Sequence, residues 1–145
     1  MRIDGLKETT MARLRTLGSG ATVRAAAMAL SSHDAGLVVV CGSEGEAVGV
    51  VSKSDLVRHV ARAGSAGAAA ERLMTRSFVS CLPEEDVRAV WQRMTIRGLQ
   101  NVPVLDVDGR ALGVLDIRDA MRLILETEEL EERALANYIA GVGYR

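Results

Sequence analysis

Two short stretches carry the side chains best suited to chemistry. In the first, Ser52, Lys53, Ser54 and Asp55 follow the apolar run Ala-Val-Gly-Val-Val. A hydroxyl with a carboxylate three residues later, where a strand pattern gives way to a helix pattern, fits a reciprocal cap on the first helical turn. The same helix start offers unpaired N–H groups and a positive dipole end to a phosphate. Both uses can hold at once. Lys53 is either a further phosphate contact or a solvated residue of the first turn. In the second stretch, Asp116, Ile117, Arg118 and Asp119 repeat the spacing, with a carboxylate where the first hydroxyl stood. Asp caps a helix at least as well as Ser. It is a poor neighbour for phosphate, because two like charges about 4 Å apart repel by ~1 kcal/mol in water and ~4 kcal/mol near a protein surface. Arg118 offsets part of that charge.

The remaining reactive side chains give weaker signals. Cys41 and Cys81 fall at the ends of strand patterns, without CxxC spacing, and read as small buried thiols. His33 and His59 have no second metal-type ligand nearby in sequence and read as surface residues. Nucleophile-elbow, zinc-protease and phosphate-loop motifs are missing, so an enzyme is not expected and no cofactor is required. The formal net charge of −1 and the lack of a basic cluster argue against nucleic acid. No apolar stretch approaches the roughly 20 residues that cross a bilayer. The first residues lack the apolar run of a signal peptide. The expectation is a cytoplasmic protein with no membrane partner.

The elements that position the two stretches come from an internal repeat. Sliding the chain by 64 residues, without a gap, superposes Val23-Arg24-Ala25 on Val87-Arg88-Ala89, Gly49-Val50 on Gly113-Val114, and Asp55 on Asp119. Between Thr22 and Arg58 there are 11 identities in 37 positions. Each copy reads as βαββα. The strands are expected at 15–17, 37–41 and 47–51, and at 78–81, 102–105 and 111–115. The helices are expected at 22–31 and 53–63, and at 84–97 and from 117 to about 140. The start at 84 rests on Pro83 followed by two acidic residues. A further short helix is expected at 68–75. Gly45 and Gly109 stand where the hairpin turns need positive φ. A lone unit of this kind leaves one sheet face bare, and two copies cover each other. With only 3% aromatic residues, the core must be Val, Leu, Ala, Ile and Met.

The motifs now resemble a known family. Gly49-Val50-Val51-Ser52-Lys53-Ser54-Asp55 looks like the signature that closes a cystathionine β-synthase (CBS) domain, and residues 113–119 look like a variant of it. Asn101-Val102-Pro103-Val104 resembles the family's strand after the first helix. The resemblance covers about 13–125. It implies an α+β fold (α/β-like), a tandem CBS pair or Bateman module with pseudo-two-fold symmetry, of the stand-alone bacterial kind. The expected organisation is an N-terminal helical segment (1–13), repeat one (14–63), a linker (64–76), repeat two (77–126) and a C-terminal helical extension (127–145). It also implies an adenine-containing ligand such as AMP, ADP, ATP or S-adenosylmethionine, bound in clefts between the repeats. Ser52 would then meet phosphate and Asp55 the ribose hydroxyls, with adenine against Leu37, Val38, Val39 and the first strand. In repeat two, Asp119 would remain for a ribose, and Ser80, Val102 and Pro103 for a base. Because of Asp116, the second cleft is expected to be empty or to take a group without phosphate there.

The last helix carries Leu130, Ala134, Leu135, Tyr138 and Ile139 at helical spacing. That stripe calls for cover from a second copy or from residues 6–17, and a homodimer is expected. Two functions follow. One is a regulatory module whose ligand shifts the packing of the repeats and so acts on a partner protein. The other is a structural or interaction dimer with degenerate clefts.

Overall fold

The protein is described by a computed structural model covering residues 1–143. The expected extension at 127–145 therefore ends two residues outside the described part. The elements in chain order are α1 (Lys7–Arg13), β1 (Thr16–Gly18), α2 (Val23–Leu30), β2 (Leu37–Cys41), β3 (Ala47–Ser52), α3 (Lys53–Ala61), α4 (Val87–Arg97), β4 (Asn101–Leu105), β5 (Ala111–Asp116) and α5 (Ile117–Gly143). Repeat one has a three-stranded sheet in the order β1-β2-β3, with β1 parallel and β3 antiparallel to β2. Repeat two pairs β4 with β5 antiparallel. In both hairpins the register slips one residue before the turn, at Val40/Cys41 and at Val104/Leu105. The glycines of the two turns have φ of 84° and 80°. The 64-residue repeat therefore holds down to its irregularities.

Three expected elements differ. The first strand of repeat two shrinks to one parallel bridge, Cys81 to Val104. In repeat one the Val39 amide donates to the Arg15 carbonyl at 2.9 Å. The counterpart of Val39 is Pro103, which has no N–H to give Val79, so the strand cannot extend backwards. The helix expected from 84 begins at Val87, capped by Asp86, whose carboxylate accepts from the Ala89 amide at 3.1 Å. Thr22, 64 residues earlier, accepts from the Ala25 amide in the same way. Glu85 is drawn into the preceding turn instead, accepting from the Leu82 amide at 2.7 Å and pairing with Arg93. The helix expected at 68–75 is a single 3-10 turn, Ala70–Arg72.

Burial follows strand alternation. Val38, Val40 and Val51 face the helices of repeat one with Ala26 and Leu30. Val102, Val104 and Leu115 face those of repeat two with Val87, Val90 and Met94. The opposite faces meet in the middle, where Leu37, Val39 and Val50 pack with Val114. A sheet covered on both faces needs an unbroken apolar run, and β2 reads Leu-Val-Val-Val. The thiol of Cys81 is fully buried, and that burial pushes its pKa up to about 12. Cys41 is only partly covered.

Helix α1 lies across β5 and leaves the tail stripe uncovered. Leu130, Leu135, Tyr138 and Ile139 are all exposed. A Cβ added at Gly113 would come within 2.8 Å of both the backbone and the Cβ of Thr10 on α1. At the equivalent Gly49 it would meet the Met74 side chain, which is flexible. Gly113→Ala is therefore expected to cost about 1–3 kcal/mol, the usual penalty of overpacking, and Gly49→Ala less. Urea midpoints of the two variants check this, and equal midpoints would contradict it.

Candidate functional site

Ser52 ends β3 and caps α3. Its hydroxyl accepts from the Asp55 amide at 3.3 Å, and its own amide donates to Asp55 Oδ2 at 2.8 Å. The expected capping box is present. Asp55 Oδ1 accepts from the Arg58 guanidinium at 3.2 Å. The Lys53 ammonium reaches the Ser32 carbonyl at 3.5 Å, across the loop before β2.

These residues open onto a cleft of about 1170 Å³. It is composite. Repeat one supplies Leu37, Val50, Ser52, Lys53 and Asp55. Repeat two supplies Ser77, Phe78, Val79, Asn101 and Pro103, with Asp116 and Arg118 at the far rim. The positive or protonatable groups His33, Lys53, Arg97 and Arg118 all line it. Asp116 faces them as a paired charge. Burial pushes its carboxyl up, but hydrogen bonds from the Arg118 guanidinium and backbone amide outweigh this and hold it below the usual range. Asn101 Oδ1 is a buried acceptor without a partner.

Of the residues singled out from sequence, Leu37, Ser52, Lys53, Asp55 and Pro103 line this cleft. Val38, Val39 and Val102 are sealed in the core. Ser80 is half-buried behind it, its carbonyl accepting from Arg93 at 3.1 Å. Asp119 is buried and held by Arg13, with Nε donating to Oδ2 at 2.5 Å and Nη2 to Oδ1 at 3.2 Å. The grouping also changes. The wall beside Ser52 and Asp55 comes from Phe78 and Val79 of repeat two, not from the first strand of repeat one, and Pro103 joins the same cleft. Sequence reasoning missed Ser77, Phe78, Val79 and Asn101, because nothing local says which repeat they face. Among the described residues, no cluster of His, Cys, Asp and Glu is placed to hold a metal. No described helix is long and apolar enough to cross a membrane.

The class defined by this geometry is a tandem pair of α+β repeats packed sheet against sheet, with a composite cleft at their junction. The CBS domain family model matches residues 9–62 and 70–126, and the chain belongs to that family. A CBS domain protein from Pyrobaculum aerophilum, solved complexed with AMP, is 28% identical with a TM-score of 0.74 over 88% of this chain and 99% of that one. A CBS domain pair solved with 5'-methylthioadenosine and S-adenosyl-L-methionine is 23% identical with a TM-score of 0.75, over 88% of this chain and 98% of that one, and shares the fold. A homoserine O-acetyltransferase of Methanococcoides burtonii is 30% identical over 77% of this chain, which spans only 22% of that enzyme.

Proposed function

We propose that the composite cleft binds an adenosine phosphate and that its occupancy regulates a partner protein, the chain itself performing no catalysis. The observation that carries this reading is the meeting, in one cleft, of the Ser52–Asp55 helix start with apolar walls from the other repeat. The helix start receives phosphate. Asp55 accepts from the ribose hydroxyls, as hydroxyl groups donate readily to an ionised carboxylate. Phe78, Val79 and Pro103 provide an apolar wall for a base. Lys53, Arg97 and His33 favour an anionic ligand over the cationic S-adenosylmethionine. The AMP complex of the Pyrobaculum relative supports the same class of ligand.

The reading includes a cytoplasmic location and a homodimer, with Val57 and Val60 of α3 and Leu125 of α5 exposed as apolar surface for a second copy. The exposed stripe on the end of α5 also favours contact with another chain.

A thermal-shift series with AMP, ADP, ATP and S-adenosylmethionine tests the binding. A ligand at 100 times its Kd adds about 2.7 kcal/mol. At about 2–4 °C per kcal/mol for a chain of this size, the melting temperature should rise by roughly 5–10 °C with an adenosine phosphate. No shift with any of the four would sink the reading.

A further inference from the structure

The 64-residue repeat assigns every wall of the open cleft a counterpart on the other side of the pseudo-two-fold axis. Asp55 corresponds to Asp119, Ser52 to Asp116, Ser77 to Arg13, Phe78 to Leu14, Val79 to Arg15 and Gly98 to Asp34. These counterparts should enclose a second cleft, and Arg13 runs through the middle of them. Its Nε and Nη2 donate to both oxygens of Asp119, its Nη1 donates to the Asp34 carbonyl at 2.8 Å, and the same Nη1 lies 3.9 Å from Asp116 Oδ2. Arg15 adds a bond to the Asp34 carboxylate at 3.3 Å. In the open cleft, the place of Arg13 is taken by Ser77, whose side chain is too short to cross it.

We propose that Arg13 is the built-in occupant of the second cleft, holding the carboxylate that would otherwise accept a ribose, so that each chain takes one ligand and not two. The inference rests on the ligand class proposed for the first cleft. Three features support it. The guanidinium has traded solvent for two buried carboxylates, a geometry that a planar cation fills bidentately. The Arg13 pKa is pushed up, chiefly by the hydrogen bond to Asp119. The occupant belongs to α1, which is itself fixed on β5 by the close approach of Thr10 to Gly113, so the backbone that carries the guanidinium is anchored.

Calorimetric titration of the whole chain with AMP tests the proposal. The wild type should bind one AMP per chain. Asp116→Ser should still bind one, because Arg13 remains. Arg13→Ser/Asp116→Ser rebuilds the Ser77, Ser52 and Asp55 set in repeat two and should bind two. If that variant does not melt cooperatively, Arg13→Ser/Asp116→Asn takes its place, which likewise frees Asp119 and keeps an acceptor for the Arg118 amide. Two sites in the wild type or in Asp116→Ser would overturn the proposal, as would a single site in a folded double variant. A wild type that binds nothing, with a double variant that binds one AMP, would sink the ligand reading for the first cleft and leave Arg13 as the occupant of the second. If neither binds, both readings fall.

Discussion

Replacing Arg13 with methionine is expected to lower the melting temperature by about 10 °C. The substitution keeps an unbranched side chain of similar reach and removes only the guanidinium. Asp119 is then left with its side chain 2% exposed and, among the described residues, one remaining ion pair, to Arg122 at 3.6 Å, which is itself largely in solvent. Removing one partner of a buried pair typically costs about 3–5 kcal/mol, most of it the penalty of the stranded charge. For a chain of this size, each kcal/mol moves the midpoint by about 2–4 °C. The mechanism makes a second demand. Asp119→Asn in the Arg13→Met background should recover part of the loss, since a neutral amide is easier to bury unpaired than a carboxylate. A double-mutant cycle of calorimetric melts measures the coupling. If the single variant melts like the wild type, the pair contributes nothing to stability. If the double variant is worse than the single, the stranded charge is not the cause.

Asp55→Ala is expected to weaken binding of an adenosine phosphate by about 10- to 100-fold while costing the unliganded protein only ~1 kcal/mol. The two effects come from different atoms. Oδ2 serves the cap by accepting from the Ser52 amide, and losing one side of such a cap costs on the order of 1 kcal/mol. Oδ1 takes no part in the cap and accepts from the Arg58 guanidinium, which is mostly in solvent, so it is the oxygen left for a ribose hydroxyl. A hydrogen bond to a charged group contributes about 1.5–3 kcal/mol, which converts to the stated range of affinity. Calorimetric titration reads the first effect, and melting without ligand reads the second. Unchanged affinity in a folded Asp55→Ala variant would remove Asp55 from the ligand site and leave it a capping residue alone. The analogous Asp119→Ala should leave the affinity of the open cleft untouched, because Asp119 does not line it.

Much of this architecture is written in local patterns. The hydroxyl of Ser52 and the carboxylate of Asp55 form their capping box because the atoms involved lie within one turn. The Gly45 and Gly109 turns follow from the positive φ that their hairpins need. The repeat supplied more than it was asked for. Thr22 as a cap of α2 already marks Asp86 as the cap of α4, and Pro103 in place of Val39 already denies Val79 its strand partner. Both details are present in the sequence, where Pro83 and the apolar pattern of residues 78–81 mask them.

What only the folded chain decided is which half faces which. Val38 and Val39 are equally apolar and adjacent, yet one packs under its own helices and the other against the second repeat. The composite cleft exists because the two sheets meet face to face, which carries Phe78 and Val79 to the Ser52 side and Leu14 and Arg15 to the other. Arg13 has no local signal at all: it is one arginine among many, 106 residues from the aspartate it holds. The sequence by itself determined two equivalent repeats with two capped helix starts, since caps, turns and strand alternation are short-range. The packing of those repeats made one helix start the floor of a cleft and put an arginine over the other, because contacts across a pseudo-two-fold axis depend on both surfaces at once.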